Sequence, residues 1–156
     1  MKLKFKNYFF ILLAMMFTLF FSGCGMLEAL PEENNNSEIT ISKDGSYDDF
    51  ESVAAYIHVY GELPSNFITK QEAKKLGWEP GKDLWDYAEG KSIGGDVFGN
   101  YEGRLPEANG RKWYECDINY QGGKRGADRI VFSNDGLIYG TSDHYETFTL
   151  YYGEED

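Results

Sequence analysis

The hydrophobic period changes once along this chain, near Ser92, and that change limits the folds open to it. Upstream, Phe50, Val53, Ala54, Ile57 and Tyr60 recur at helical spacing and form one apolar stripe. Asp49 is placed to cap its start and Gly61 to end it. Leu63-Pro64-Ser65-Asn66 reads as a turn. Thr69-Lys70-Gln71-Glu72 has capping-box spacing, which predicts a second, short helix closed by Gly77 after Leu76. Leu84 to Ala88 adds one helical turn. From Ser92 onward the pattern is that of strands, over Ser92–Phe98, Lys112–Tyr120, Ala127–Ser133, Leu137–Thr141 and Thr147–Tyr151. Gln121-Gly122-Gly123-Lys124 is a turn, and Asn134-Asp135-Gly136 is a strong hairpin signal. Helices first and strands later predict an α+β domain, with N-terminal helices packed on a C-terminal antiparallel β-sheet. The stripe of the first helix should cover one sheet face. The other, carrying Glu115 and Arg129, should be left free for ligand.

The first residues carry an export signal. Lys2, Lys4 and Lys6 precede an apolar run from Tyr8 to Phe21 that is short for a membrane span. Ser22-Gly23 directly before Cys24 suits a lipoprotein signal peptidase, which would leave Cys24 as a lipidated first residue. The alternative is an ordinary signal peptide with an incidental cysteine. The expected organisation is a signal peptide over residues 1–23, a lipidated cysteine with an acidic, Asn-rich tether over 24–46, and a folded domain over 47–156. The protein would then sit on the outer face of the plasma membrane, held by its lipid alone, or be extracellular if released. With Cys24 lipidated, Cys116 has no disulfide partner; pairing of the two is the alternative. Cys116 itself reads as a small buried residue rather than a nucleophile.

Charge argues against a polyanionic ligand at first sight. The net charge is −11, and removing three leader lysines leaves 12 bases against 26 acids, a net of −14. Such a field repels nucleic acid. Much of the acidity lies in the tether and in Glu154, Glu155 and Asp156, however, so residues 50–153 carry only −5.

Some polar residues have no obvious structural reason. Glu115 stands mid-strand, where Glu is disfavoured. Arg129 stands on the next strand, Arg125 in the turn between, and His144 just beyond the following hairpin. Lys70 at the start of the second helix can join them. A Glu and a His can take a proton from an attacking hydroxyl and give one to a leaving oxygen, while Arg and Lys stabilise phosphoryl charge. That set fits phosphodiester transfer. No cluster has metal-ligand spacing, and no cofactor is implied. The bland readings are a cross-strand Glu–Arg ion pair and an ordinary loop histidine. His58, inside the first helix beside Ile57 and Val59, reads as structural.

A series of stretches goes further: Leu63-Pro64 with Asn66 to Lys70, Leu76-Gly77-Trp78, Gly90 to Asp96, Asp117-Ile118-Asn119-Tyr120, Asp128-Arg129-Ile130, Leu137-Ile138-Tyr139, Asp143-His144-Tyr145 and Thr147-Phe148. In this order and spacing, the chain from about Phe50 to Phe148 resembles the barnase family, the bacterial extracellular ribonucleases that prefer guanosine. The resemblance implies that Glu115 is the general base and His144 the general acid. Lys70, Arg125 and Arg129 are its phosphate-stabilising cations, and Tyr145 lies beside the acid at the phosphate. The run Asp96 to Gly103 matches the guanine loop. There Glu102 would accept from the base, with backbone near Phe98, Gly99 and Asn100 completing recognition. It further implies single-stranded RNA as substrate, a 2′,3′-cyclic phosphate product that is then hydrolysed, no action on DNA, and inhibition by a barstar-like protein; the sequence reveals no oligomeric interface, so a monomer is the default expectation. Three positions depart from the family: Tyr101 replaces an arginine, Gly99 a serine and Gly136 a tryptophan. The family is basic, and this chain is acidic. Two other readings follow from these departures and the anchor: a non-catalytic surface lipoprotein that keeps the fold for binding, and a surface-displayed toxin.

Overall fold

The first helix, α1 (Phe50–Tyr60), forms where the stripe and its caps agree. Asp49 accepts the amide of Ser52 at 2.8 Å, and Gly61, left-handed at φ 70°, returns its N–H to Ile57. The computed structural model describes residues 40–155. Cys24, the expected signal peptide and the expected tether up to residue 39 lie outside the described residues. Burial on α1 is wider than one stripe, because Ala55 and Tyr56 are also buried. The reason is a segment that the sequence assigns to the tether. Residues 41–47 lie along the helix: Tyr56 donates to the carbonyl of Lys43 at 2.8 Å, Tyr60 to that of Ile41 at 3.2 Å, and Lys43 pairs with Glu62.

Strand β1 (Phe67–Ile68) comes next, then α2 (Lys70–Lys75) with its full capping box. The amide of Thr69 donates to Glu72 Oε2 at 2.8 Å and that of Glu72 to Thr69 Oγ1 at 3.2 Å. The predicted turn at Leu84 is a 3₁₀ turn over Leu84–Asp86, capped by Asp83. Then come β2 (Ser92–Phe98), β3 (Trp113–Asp117), β4 (Arg129–Ser133), β5 (Ile138–Thr141) and β6 (Thr149–Tyr152). The sheet runs β1-β2-β3-β4-β5-β6, antiparallel except at one edge, where β1 pairs parallel with β2. The expectation of a wholly antiparallel sheet missed β1, whose two residues are too few to show a period. The expected strand to Tyr120 also ends early. Asn119 turns left-handed at φ 57° and donates its N–H to the carbonyl of Asp48, so it does not share the strand face of Glu115.

Alternation along β3 sends Cys116 toward α1, where Val53, Ala54, Ile57, Phe67, Ile118, Ile130, Phe132 and Ile138 complete the main core. Cys116 is 1% exposed, and burial pushes its thiol well up, as befits a packing residue. The other sheet face is not entirely free. Leu105, Trp113, Val131, Leu137 and Tyr139 bury one end of it as a second core, flanked by Phe98, Tyr145 and Phe148. Only the end carrying Glu115 and the arginines stays polar.

One irregularity positions the site. Between Gly94 and Asp96 the register of β2 on β3 shifts, with Gly95 at φ 91°. This bulge sets Asp96 opposite Glu115, and Asp96 Oδ2 accepts the amide of Lys70 at 2.9 Å. The N-terminus of α2 is thereby tied to the strand that faces Glu115.

Candidate active site

Glu115 lies mid-β3, with its side chain 13% exposed. Lys70 Nζ donates to Oε1 at 2.7 Å, and the Tyr145 hydroxyl donates to Oε2 at 2.6 Å. Burial opposes the charged carboxylate. The bonds from Lys70 and Tyr145, with the charges of Lys70 and Arg129, outweigh it and hold Glu115 below the ordinary carboxylate range. It is therefore an ionised, two-handed acceptor at neutral pH. Burial, together with the same contact to Glu115, pushes the Tyr145 phenol well up and keeps it a donor.

Two residues along β3, Asp117 faces the same way. It is 3% exposed and sits between two guanidiniums. Arg125 Nη2 donates to Oδ1 at 2.7 Å and its Nε to Oδ2; Arg129 Nε lies 3.0 Å from Oδ1. That last contact is an ion pair without a well-directed hydrogen bond, since Arg129 Nε has no aligned acceptor. Arg129 is anchored instead through Nη1, which donates to the carbonyls of Gly126 at 2.9 Å and Asp128 at 2.6 Å. One buried carboxylate thus fixes both arginines. Alternation alone puts Asp117 on the face of Glu115, but nothing local to the sequence shows that both arginines converge on it.

His144 and Tyr145 lie in the loop after β5, both left-handed, at φ 59° and 73°. Such a pair is strained for non-glycine residues. Asp143 holds it. Its Oδ1 accepts from Thr141 Oγ1 at 2.8 Å and from the amides of Thr147 at 2.9 Å and Glu146 at 3.0 Å, and its Oδ2 accepts from Thr147 Oγ1 at 2.6 Å. These bonds, those from Thr147 first, hold the Asp143 carboxyl far below its ordinary range. Thr141 Oγ1 also accepts the Tyr145 amide at 3.1 Å. His144 is left exposed, with its ring 4.9 Å from that of Tyr145.

The resulting cleft has a volume of ≈ 470 Å³. Glu115, His144 and Tyr145 meet Val97, Phe98, Gly99, Asn100, Tyr101 and Glu102 there, joined by Arg104, Glu146 and Phe148. His144 also lines an adjoining trough of ≈ 610 Å³ walled by Arg125, Arg129, Lys82 and Lys124. Lys82, Lys124, Arg125 and Arg129 therefore lie to one side of His144, and the aromatic and acidic groups, with Arg104, to the other. A larger cavity, ≈ 690 Å³, lies beyond α1 and contains His58 and Glu72. Both are already engaged, His58 stacked on Tyr152 at 4.2 Å and Glu72 in its capping box, so that cavity holds no ready acid–base pair.

Within the loop after β2, Asn100 is buried at φ 44°. Its amide donates to the carbonyl of Leu105 at 2.9 Å and accepts the Leu105 N–H at 3.1 Å. Its side chain therefore shapes the loop, and only its backbone is available to a ligand. Tyr101 is 99% exposed, and a side chain at Gly99 would run into its ring. Arg104, which the sequence did not single out, pairs with Glu102 at 2.6 Å and with Glu146 at 3.2 Å. Among the described residues, no three His, Cys, Asp or Glu side chains converge as a metal site needs.

Comparison with known proteins agrees in extent with this domain. The profile of a ribonuclease family matches residues 50–152. A ribonuclease of Bacillus pumilus is 46% identical over 152 residues, covering 90% of this chain and 94% of that protein. A ribonuclease of Heyndrickxia coagulans is 59% identical over 100 residues, covering 64% of this chain and 92% of its own. Guanyl-specific ribonuclease St of Saccharopolyspora erythraea is 40% identical over 57 residues, 36% of this chain and 56% of that one. With a matching profile across most of its length and close relatives over nearly all of it, this chain belongs to the ribonuclease family.

Proposed function

We propose that this ribonuclease is an endonuclease of single-stranded RNA that cuts after guanosine by transphosphorylation. The observation that carries the reading is the pairing of Glu115 with Lys70 and Tyr145 in the same cleft as His144. Glu115, held ionised, takes the proton of the 2′-hydroxyl. The freed oxygen attacks the adjacent phosphorus. Imidazolium at His144 gives its proton to the departing 5′-oxygen, leaving a 2′,3′-cyclic phosphate. In the second step the roles reverse: His144 takes a proton from water, and Glu115 returns one to the 2′-oxygen. Charge growing on the phosphoryl oxygens is met by Lys70 and by Arg125 and Arg129, whose positions Asp117 fixes before substrate arrives. Such pre-set donors need no reorganisation as the bond breaks.

Guanosine preference rests on the loop Phe98 to Glu102. There a carboxylate at Glu102 can accept from the paired N–H donors of a guanine edge, while Phe98, stacked on Tyr145 at 5.2 Å, offers an aromatic floor. One relative carries the name guanyl-specific. We also place the enzyme at the outer membrane face through lipid on Cys24, and expect a barstar-like protein to cover the cleft.

The test is cleavage of a short RNA containing one guanosine by residues 38–156, with mass spectrometry of the ends. A 2′,3′-cyclic phosphate after guanosine, lost in Glu115→Ala, is expected. Folded protein that leaves the RNA whole at low and moderate salt would turn the reading to a non-catalytic binding protein. Metabolic labelling with a fatty acid, lost in Cys24→Ser, checks the anchor.

A further inference from the structure

We propose that Arg104 is a specificity-determining positioning residue, which ties recognition of the base to placement of the loop that carries His144. The proposal rests on the reading of Glu102 as base acceptor and His144 as acid. The two loops belong to different hairpins, and Arg104 stands 42 residues from its partner Glu146. One guanidinium reaches three acceptors. Its Nε donates to Glu102 Oε2 at 2.6 Å, its Nη1 to the backbone carbonyl of Glu146 at 2.5 Å, and its Nη2 lies 3.2 Å from Glu146 Oε2. A planar fork can hold all three at once; an ammonium group cannot repeat that geometry.

The division of Glu102 matters most. One carboxylate oxygen is bound by Arg104, while Oε1 has no hydrogen-bond partner among the described residues. A base edge with adjacent N–H donors can therefore engage a carboxylate that is already steadied. That carboxylate is joined through Arg104 to the backbone of Glu146, two residues beyond His144. Capture of the base then stiffens the acid loop through one side chain. A base without those donors gains nothing from the link. Arg104 should therefore raise the rate for guanosine substrates selectively, without touching the reacting atoms.

The experiment compares kcat/KM for GpU and ApU in the parent, Arg104→Ala, Arg104→Lys and Glu146→Gln, with thermal unfolding of each to verify folding. Arg104 is 39% exposed and its partners more so; Arg104→Ala is therefore expected to lower the guanosine-to-adenosine ratio about fivefold, with kcat and KM for GpU both affected and ApU changed by less than about twofold. Arg104→Lys should recover little of this, because one ammonium cannot span the three acceptors. Glu146→Gln should have a smaller effect, since the backbone carbonyl stays. A ratio kept within about twofold in folded Arg104→Ala, or an equal fall for both substrates, overturns the proposal and leaves Arg104 a loop staple. A parent that cuts neither dinucleotide overturns the endonuclease reading itself, and this proposal with it.

Discussion

Asp117→Asn tests whether one buried carboxylate holds the cationic half of the cleft. The substitution keeps size and one carbonyl oxygen but removes the charge. Asp117 is 3% exposed and Arg129 4%, so neither has water to fall back on. Arg129 would keep two backbone carbonyls, of Gly126 and Asp128, and would face an amide in place of a carboxylate. Removing one partner of a buried pair costs about 3–5 kcal/mol, because the other charge is left buried and uncompensated. Arg125 is 26% exposed and can turn to water, so its share is small. About 3 kcal/mol is therefore expected, against the 5–15 kcal/mol that holds an ordinary domain. The variant should fold but unfold at a urea midpoint lower by about 1.5 M, for a slope near 2 kcal/mol/M. Without urea its kcat/KM on RNA should fall about 10²-fold, since misplacing a group by about an ångström costs that much. Adding Arg129→Met should restore part of the stability and none of the activity. A loss of stability below about 1 kcal/mol, with activity intact, would refute the claim that Asp117 organises the arginines.

Other expectations are simpler to check. Lys70→Met removes the main group that lowers the Glu115 pKa, so that pKa must rise, and the acid limb of the pH–kcat/KM profile should move to higher pH; an unmoved limb separates Lys70 from the base. Because Glu115 is held below its unfolded value, it contributes stability above the usual carboxylate pKa that is lost as pH falls through its lower folded value; the acid unfolding of Lys70→Met should show less of this loss. Asp143→Ala removes the carboxylate that accepts four of the hydrogen bonds shaping the His144 loop and should reduce kcat far more than it reduces the melting temperature, as read by dinucleotide kinetics beside thermal unfolding. Raising salt should slow RNA cleavage only weakly, since the net charge of −11 opposes the local pull of the cations; a steep log–log slope would show that the local field dominates.

Much of this protein was legible before any coordinates. Asp49, Gly61, Thr69 and Glu72 mark the helix ends because caps act within four residues. Alternation in β3 put Glu115 and Asp117 on one face, and the turn at Asn134 to Gly136 joined β4 to β5. The candidate catalytic residues also stood out, partly because a mid-strand Glu and Arg sit poorly with local preference, and partly through the likeness of whole segments to a known family.

Other features belong to the tertiary structure alone. Lys70 meets Glu115 across 45 residues only because α2 is tied by Asp96 beyond the β2 bulge. Two residues pair in parallel at the sheet edge, and the segment 41–47 lies against α1. Asp117 serves two arginines, and Arg104 spans two loops. None of these follows from a period or from short-range pairing alone. Caps, turns and alternation are set by a few neighbouring dihedrals, so the sequence determines them directly. Convergence of distant side chains depends on the twist, register and packing of the whole sheet, and is decided only when the core closes.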